Sequence, residues 1–396
     1  MMQISPETQL FIREHSSDDV RALALQAKKY PDIDMPTAIT QIAGRKVAAE
    51  KIPSWWEIEK IWYPKHLSLE QCSSEITARY KARLLQGDSL TDLTGGFGID
   101  CSFLATGFKS ATYVERQEEL CEIAAHNFPV LNLNHINIKN EDGVTYLQVM
   151  SPVDCLFLDP ARRNEHGGKT VAISDCEPNV AELEELLLQK ANRVMIKLSP
   201  MLDLSLALKE LKQTQEVHIL SVNNECKELL ILLGQTSPAE ISIHCVNLFT
   251  KGTQKEQHFV FTREQEQCSE CTYTDSLETY LYEPNASLLK AGAFRSIAAA
   301  YPVRKLHPNS HLYTSDTFIE NFPGRIFRIV NQCSFNKKEV KENLADLKKA
   351  NVTVRNFPAT VAELRKRIHL AEGGDTYLFA STLNNGQKVL IRCEKV

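Results

Sequence analysis

The sequence of 396 residues predicts an α/β fold built on a parallel sheet. Three observations predict it. Strand-like and helix-like runs alternate from residue 87 to about residue 265, a glycine turn follows the first strand, and acidic residues follow several strand ends. Helical runs fill residues 1–64, and a separate α/β pattern occupies the C-terminal region. The chain length also favours more than one domain.

The composition is that of an ordinary globular protein, with 43% hydrophobic and 24% charged residues. No apolar run approaches the ~20 residues of a membrane helix, and the N-terminus has no signal-peptide pattern, so we expect no membrane partner. Eleven cysteines lie mostly in apolar runs, which predicts reduced thiols in the cytoplasm. Cys268 and Cys271 form a lone pair without a second pair of zinc ligands, so we expect no structural metal.

Charge is distributed unevenly along the chain. Residues 324–396 contain 14 Lys and Arg against seven Asp and Glu, a local charge of +7. The whole chain carries −5, so the preceding residues carry −12. A basic module on an acidic body favours a polyanionic partner, with nucleic acid first. A solvated basic face without a partner is the alternative.

The segment that organises the chain is 90–100, LTDLTGGFGID. It predicts a short strand, a glycine turn and a helix that begins near Ile99. Gly95, Gly96 and Gly98 permit positive φ angles and leave backbone N–H groups uncovered, so a ligand can approach the main chain. The helix N-terminus behind the turn favours negative groups.

Three nucleotide-type ligands compete for such a loop. A dinucleotide fingerprint needs a small third residue where Cys101 stands, and a phosphate-binding P-loop needs Lys followed by Ser or Thr after its last glycine. The third ligand is S-adenosylmethionine, whose loop begins with an acid. Asp92, four residues before Gly96, favours this ligand, and Thr94 belongs to the same candidate loop.

Three further acids follow predicted strands. In an open α/β sheet, ligands bind outside the carboxyl ends of the strands, at the topological switch point. Glu115 ends strand two, where a carboxylate suits a ribose diol. Asp142 follows strand three and could accept a hydrogen bond from an adenine amino group. Asp159 ends strand four, beside the expected reacting centre; incidental surface acids are the alternative.

The segment after Asp159 is the candidate substrate side. Asp159 can accept a hydrogen bond from an N–H or O–H nucleophile, and the fixed φ of Pro160 holds the following carbonyls in place. Arg162 and Arg163 could pair with a phosphate backbone, or form a solvated turn. Lys197, after strand five, would face the same cleft or lie in an ordinary loop.

A helix predicted over residues 68–85 precedes the glycine loop. Ser68 with Gln71 has the spacing of a capping box, and the polar first turns, including Gln71 and Ser73, could cover a ligand bound at the loop. The segment 55–64 contains all three tryptophans, which could stack bases or line a pocket. The alternative is an aromatic core anchor between the N-terminal helices and the next domain.

In the C-terminal region we predict helices over 286–300, 337–349 and 361–370, with residues 265–276 as a linker. Two of these helices carry much of the basic excess. The residues we select as nucleic-acid contacts are Lys337, Lys338, Arg365, Lys366 and Arg367.

Three motifs together resemble one known family. DLTGGFG at 92–98, DPARR at 159–163 and EPNA at 283–286 look like the bacterial class I S-adenosylmethionine-dependent methyltransferases with a C-terminal THUMP-like domain. The segment LEQCSSE at 69–75 fits the family too. The resemblance covers about residues 65–396.

The resemblance implies a Rossmann-like, seven-stranded methyltransferase core with an N-terminal helical segment and a small ferredoxin-like and THUMP-like module. We place an N-terminal helical domain at 1–64, the methyltransferase domain at 65–265, a linker at 266–280, the ferredoxin-like segment at 281–323 and the basic THUMP-like module at 324–396. THUMP domains generally present RNA to an attached modifying enzyme, which implies tRNA or rRNA as the substrate. A protein or small-molecule substrate, or a non-catalytic RNA-binding role, are the alternatives, and the target atom and oligomeric state stay open.

Overall fold

The structure is a computed structural model that describes residues 4–162, 172–236 and 238–396. The chain divides into two compact units. The first comprises Met1–Gln215 and Leu229–Pro238, and the second comprises Glu216–Glu228 and Ala239–Val396. Among the described residues, no helix combines the length and the apolar character needed to cross a membrane.

The first unit begins with helices, as the sequence predicts. Side chains at the helix starts explain several boundaries, since the carboxylates of Asp19 and Asp34 accept hydrogen bonds from backbone N–H groups of the first turns. The helices before the first strand are α1 (Pro6–Glu14), α2 (Val20–Leu25), α3 (Met35–Lys51), α4 (Pro53–Trp56), α5 (His66–Gln71) and α6 (Glu75–Ala82).

The tryptophan-rich segment is mainly a core anchor. Trp55 is buried and packs edge-on against Phe97 of the glycine loop, with ring centroids 5.2 Å apart. Trp62 stacks on His126, and the side chain of Asn127 bonds both the N–H and the C=O of Trp62. These contacts fix the N-terminal helices to the domain that follows them in sequence.

Strands and helices alternate after α6. The strands of this region are β1 (Ser89–Asp92), β2 (Ser110–Glu115), β3 (Ile136–Asn140), β4 (Val153–Leu158), β5 (Ala161–Arg162), β6 (Cys176–Glu177), β7 (Ala191–Leu198), β8 (Thr214–Val222), β9 (Glu225–Gly234), β10 (Ser242–Leu248) and β11 (Glu256–Thr262). The helices are α7 (Ile99–Ala105), α8 (Glu118–Val130), α9 (Gly143–Val149), α10 (Val180–Lys190), α11 (Leu204–Glu210) and α12 (Arg263–Cys268).

The strand order of the first unit is that of an open α/β sheet. It reads β9-β7-β4-β1-β2-β3, with β9 antiparallel to β7 and the other neighbours parallel. The connections from β1 lead outward to β2 and β3, whereas β4 lies on the other side of β1. The topological switch point is therefore between β1 and β4, where Asp92 pairs in register with Phe157. The predicted α/β fold class is confirmed.

The second unit contains part of the alternating region and all of the C-terminal region. Strand β10 is parallel to β8 and antiparallel to β11. The C-terminal strands are β12 (Tyr280–Pro284), β13 (Arg304–Lys305), β14 (Tyr313–Ser315), β15 (Gly324–Ser334), β16 (Asn351–Val354), β17 (Thr376–Thr382) and β18 (Lys388–Lys395). The helices are α13 (Ala286–Ala291), α14 (Ser296–Ala300), α15 (Lys337–Leu344) and α16 (Val361–Ile368).

One sheet joins the C-terminal strands in the order β13-β14-β12-β15-β18-β17-β16. Strand β12 pairs with β15 over Tyr280–Pro284, so the segment before residue 324 and the basic module after it share main-chain hydrogen bonds. The carboxylate of Glu283 reinforces this junction, because it is buried and binds the guanidinium groups of Arg325 and Arg355.

Several predicted helix boundaries are wrong. The helix predicted over 68–85 is two helices, and the capping residue of α5 is Lys65, so Ser68 and Gln71 form no capping box at its start. Cys72 is extended at the break, and the Ser73 hydroxyl bonds buried charged groups. The predicted linker overlaps the end of α12, whose residue Glu266 caps α14 by accepting from backbone N–H groups, including that of Ser296.

The helix predicted over 286–300 is interrupted after Ala291. Gly292 takes a φ of +77° and ends α13, and α14 begins four residues later. The helix predicted over 337–349 ends at Leu344. Helix α9 and strand β12 were not predicted.

A substitution at Gly143 can test how closely α9 packs behind β1. A Cβ atom at this position would lie 2.1 Å from the carbonyl oxygen of Leu93, whereas one at Gly107 would come no nearer than 3.8 Å to its neighbours. Because a backbone atom cannot move aside, Gly143→Ala is expected to lower the free energy of unfolding by roughly 1–3 kcal/mol. Gly107→Ala, the matched control, should change it little. Urea denaturation measures both; equal stability of the two variants would contradict this packing.

Candidate active site at the carboxyl ends of β1 and β4

The loop between β1 and α7 has the conformation that its glycines predict. Gly96 and Gly98 have φ angles of +54° and +86°, and Gly98 directly precedes the first turn of α7. Gly95 is required for a different reason, since a Cβ atom there would lie 2.2 Å from the ring of Tyr113. The Tyr113 hydroxyl in turn donates to the Gly96 carbonyl. The chain is therefore held close to β2.

Asp92 is the buried acid of this loop. Its Oδ1 accepts a hydrogen bond from the Thr94 N–H at 3.0 Å, and no residue in the described part of the chain bonds its Oδ2. Burial raises the pKa of Asp92 to about 8; the Thr94 amide opposes this shift, and the nearby carboxylates of Asp100 and Asp159 add to it. Asp92 is thus held protonated at neutral pH, with one oxygen left for a further partner.

A buried network of charges lies beside Asp92. Asp100 on α7 is the centre: its Oδ1 lies 3.0 Å from Lys81 Nζ, and its Oδ2 lies 2.9 Å from Lys197 Nζ. Ser73 donates its hydroxyl to Asp100 and accepts from both lysines, at 2.9 and 3.0 Å. Lys197 Nζ also lies 2.6 Å from Asp159 Oδ2. Elements α6, α7, β7 and the end of β4 meet in this network.

The pKa values of two acids in the network are shifted in opposite directions. Burial alone would raise the pKa of Asp100, but the ammonium groups of Lys197 and Lys81 outweigh it and hold the pKa below its usual range. Burial raises the pKa of Asp159 although Lys197 opposes the shift. Asp100 is therefore a permanent negative charge, and Asp159 is moved toward neutrality, where a carboxylate can exchange a proton.

Thr94 joins the two strand ends. Its hydroxyl oxygen accepts from the Asp159 backbone N–H at 2.6 Å, across the switch point. Asp159 is half-buried, and Pro160 after it is buried. The side chain of Asp159 is therefore aimed by Lys197, and its backbone by Thr94.

Glu115 and Asp142 lie at the ends of β2 and β3, as predicted, and both bond backbone amides. Glu115 accepts from Gly96 N–H at 2.9 Å and from Gln117 N–H at 2.8 Å. Asp142 is the N-cap of α9 and accepts with one oxygen from the first-turn amides. Since a carboxylate can accept about four hydrogen bonds, both retain capacity for a ligand.

The remaining predicted residues are dispersed. Gln71 is exposed at the end of α5. Arg162 lies in the two-residue strand β5, and Arg163 lies outside the described residues. Lys81 and Asp100 belong to the network but were not predicted. Asp100 carried a signal, an acid in the first turn behind the glycine loop; Lys81 carried none, because it resembled any helix-surface lysine.

The predicted nucleic-acid residues lie on α15 and α16 of the second unit. Lys337, Lys338 and Lys366 are exposed, and the Arg367 guanidinium lies over the ring of Phe335 at 4.1 Å. Arg365 is less accessible, since its side chain is 17% exposed and its guanidinium lies 3.8 Å from Glu372. The exposed basic residues of α15 and α16, Lys337, Lys338, Lys341, Lys366 and Arg367, are called the basic face below.

The raised pKa of Asp92 predicts a pH-dependent stability. The folded carboxyl keeps its proton up to about pH 8, whereas an unfolded Asp loses it near ~3.9. Wild type should therefore lose stability as the pH rises through this window, by up to ~1.4 kcal/mol per pH unit, and Asp92→Asn should lack this loss. Urea denaturation of both proteins across the window measures the difference.

Asp88→Asn, which removes an exposed carboxylate, is the matched control and should run parallel to wild type. A stability difference between Asp92→Asn and wild type that stays constant with pH would contradict the raised pKa.

Comparison with family profiles assigns the C-terminal region. Residues 280–323 match a ferredoxin-like domain family, and residues 324–395 match a THUMP domain-like family. No curated protein matches the chain.

Among solved structures, the chain is similar to the "putative methyltransferase from Porphyromonas gingivalis W83", with 34% identity, full coverage of both chains and a TM-score of 0.88. Weaker similarities, over 40% of this chain, include a Streptococcus mutans "putative methyltransferase" in complex with SAH, at 14% identity, 96% of that chain and a TM-score of 0.30. An rRNA methylase from Streptococcus thermophilus has 15% identity, 93% coverage of that chain and a TM-score of 0.29. The chain therefore belongs to the family of the Porphyromonas gingivalis protein, a bacterial methyltransferase family with a C-terminal THUMP-like domain.

Proposed function

We propose that the protein is an S-adenosylmethionine-dependent methyltransferase that acts on structured RNA, tRNA or rRNA, in the cytoplasm. The observation that carries the proposal is the placement of Asp92 and the glycine loop at the switch point between β1 and β4. The family supplies the reaction class, and the basic face with the THUMP-like match supports RNA.

The residues present fit S-adenosylmethionine. Asp92 Oδ2 is a buried polar atom without a partner in the described part of the chain, and such an atom costs stability unless a ligand satisfies it. A ribose hydroxyl of S-adenosylmethionine can accept a hydrogen bond from the protonated carboxyl. The positive charge of the ligand would favour the ionised carboxylate, which accepts from an amino group or a hydroxyl. Gly96 adds room for a close approach, because a Cβ atom there would meet nothing nearer than 3.8 Å.

We assign cofactor binding to the loop and the strand ends that surround it. Glu115 would hold ribose hydroxyls and Asp142 the adenine, each with the acceptor capacity that its amide bonds leave free. Ser73 would support cofactor binding only indirectly, because its hydroxyl already bonds Asp100 and the two lysines. The residues proposed for cofactor binding are Gln71, Ser73, Asp92, Thr94, Gly95, Gly96, Gly98, Glu115 and Asp142.

Asp159 is the proposed catalytic acid–base group. When bound, S-adenosylmethionine supplies a methyl group that is already activated for transfer to a nucleophile. Asp159 would accept a hydrogen bond from the N–H or O–H of that nucleophile and take the proton that is released. Lys197 keeps the carboxylate oriented at 2.6 Å, and buried Pro160 fixes the chain direction after it.

The basic face is the proposed RNA-binding surface, with Arg162, Arg163 and Lys197 proposed on the substrate side of the active site. Phosphate contacts by exposed lysines position an RNA without reading its sequence. Arg365 contributes less, because Glu372 and its own burial occupy it. In this proposal the basic face holds the structured RNA, and the site near Asp159 selects the RNA atom that is methylated.

Transfer of labelled methyl groups to RNA from a strain that lacks the gene tests the proposal. Wild type should label RNA, and Asp159→Asn should lower the rate by about 10²-fold or more while the protein stays folded. Exposed Glu118→Gln, which also removes a carboxylate, is the matched control and should retain the rate.

Combined Lys337→Gln, Lys338→Gln and Lys366→Gln should weaken RNA binding and reduce its salt dependence, because about one counterion is released per phosphate contact. Lys28→Gln, Lys29→Gln and Lys251→Gln, three exposed lysines elsewhere, form the control.

Label in protein or small molecules but not in RNA would contradict the proposed substrate, and full activity of Asp159→Asn would contradict its role.

A further inference from the structure

A cluster of histidines lies outside the candidate active site, on strands of the second unit. His218 on β8 and His244 on β10 are directly opposite in the parallel ladder. Glu216 lies two residues before His218, and His258 on β11 is opposite Val246, two residues after His244. Because side chains alternate along a strand, all four belong to one face of these strands.

The side chains of Glu216, His218 and His244 lie close together, as expected from their neighbouring positions on one face of the strands. One ligating atom from each of Glu216, His218 and His244 lies within 4.8 Å of the others. Glu216 Oε2 is 3.2 Å from His218 Nε2, and His244 Nδ1 is 3.1 Å from His258 Nε2. Two ligands at ~2.0–2.1 Å from one tetrahedral metal ion are about 3.3 Å apart, so the separation of Glu216 from His218 is close to that of two ligands in a metal site.

We propose that Glu216, His218 and His244 bind a divalent transition-metal ion of the Zn²⁺ class, with His258 supporting His244. Imidazole nitrogens with one carboxylate oxygen suit this class of ion, and three protein ligands leave a fourth position for water. His258 lies within hydrogen-bond distance of His244, where such a partner can fix the ring orientation of a metal-binding histidine.

One further feature, the burial of the three side chains, agrees with the proposal. His218 is buried and Glu216 and His244 are half-buried, so an ion would be partly shielded from water. The proposal departs from our expectation of no structural metal; the exposed Cys268 with Cys271 is a competing thiol site.

The site would link three strands. β8 and β10 supply the ligands directly, and β11 supplies the supporting histidine. An ion bound to the folded chain stabilises it in proportion to its concentration over its dissociation constant, so its removal should lower the melting temperature. The inference does not depend on methyl transfer.

The test uses the full chain without an affinity tag, stripped with EDTA, and titrated calorimetrically with Zn²⁺. Wild type should bind one equivalent and melt at a higher temperature with the ion. Glu216→Gln and His244→Asn should weaken binding by about 100-fold or more, and His258→Gln by about 10-fold. Glu216 is only half-buried, so its variant should fold even if others do not.

Two controls separate this site from others. His369→Asn removes an exposed histidine at a left-handed position that Asn tolerates, and it should bind as wild type does. Cys268→Ser with Cys271→Ser should also leave binding unchanged, and the Co²⁺ form should show no thiolate charge-transfer band. Absence of Zn²⁺ binding by wild type, binding unaffected by Glu216→Gln and His244→Asn, or binding lost with the cysteines would each overturn the proposal.

Discussion

The ion network centred on Asp100 is the constraint on which the first unit depends. One carboxylate pairs with two buried ammonium groups, those of Lys81 and Lys197. Taking such charges out of water is costly, and removal of one partner from a buried pair typically costs 3–5 kcal/mol because the other charge stays uncompensated. The network therefore fixes α6 and β7 against α7, and with them the aim of Asp159.

The same network explains why two neighbouring acids differ in role. Asp100 has two cations at hydrogen-bond distance and stays charged, whereas Asp92 is buried with only the Thr94 side of the loop for a partner in the described residues. Asp159, the most exposed of the three, shares Lys197 with Asp100. In the proposed function, Asp100 is a structural charge, Asp92 contacts the ligand and Asp159 accepts a proton.

The fold and the loop could be predicted from sequence because their signals are local. Strand alternation, the turn at Gly96 and Gly98, and the acids after strands are all visible within a few residues. The network could not be predicted in full, since Lys81, Asp100 and Lys197 come from three elements far apart in sequence. The helix break at Cys72–Ser74 was also missed, because it has no Gly or Pro and depends on the buried partners of Ser73. The five-part domain division and the site roles stay predictions, although the family matches lie close to the last two boundaries.

The central claim is that the loop from Asp92 to Gly98 binds S-adenosylmethionine, and calorimetric titration with S-adenosylhomocysteine tests it most directly. Wild type is expected to bind in the micromolar range, Asp92→Ala and Glu115→Ala are expected to lose binding, and exposed Asp88→Ala is expected to retain it. Circular dichroism would confirm that the variants stay folded. No binding by wild type, or an affinity unchanged in folded Asp92→Ala, would contradict the assignment of the site.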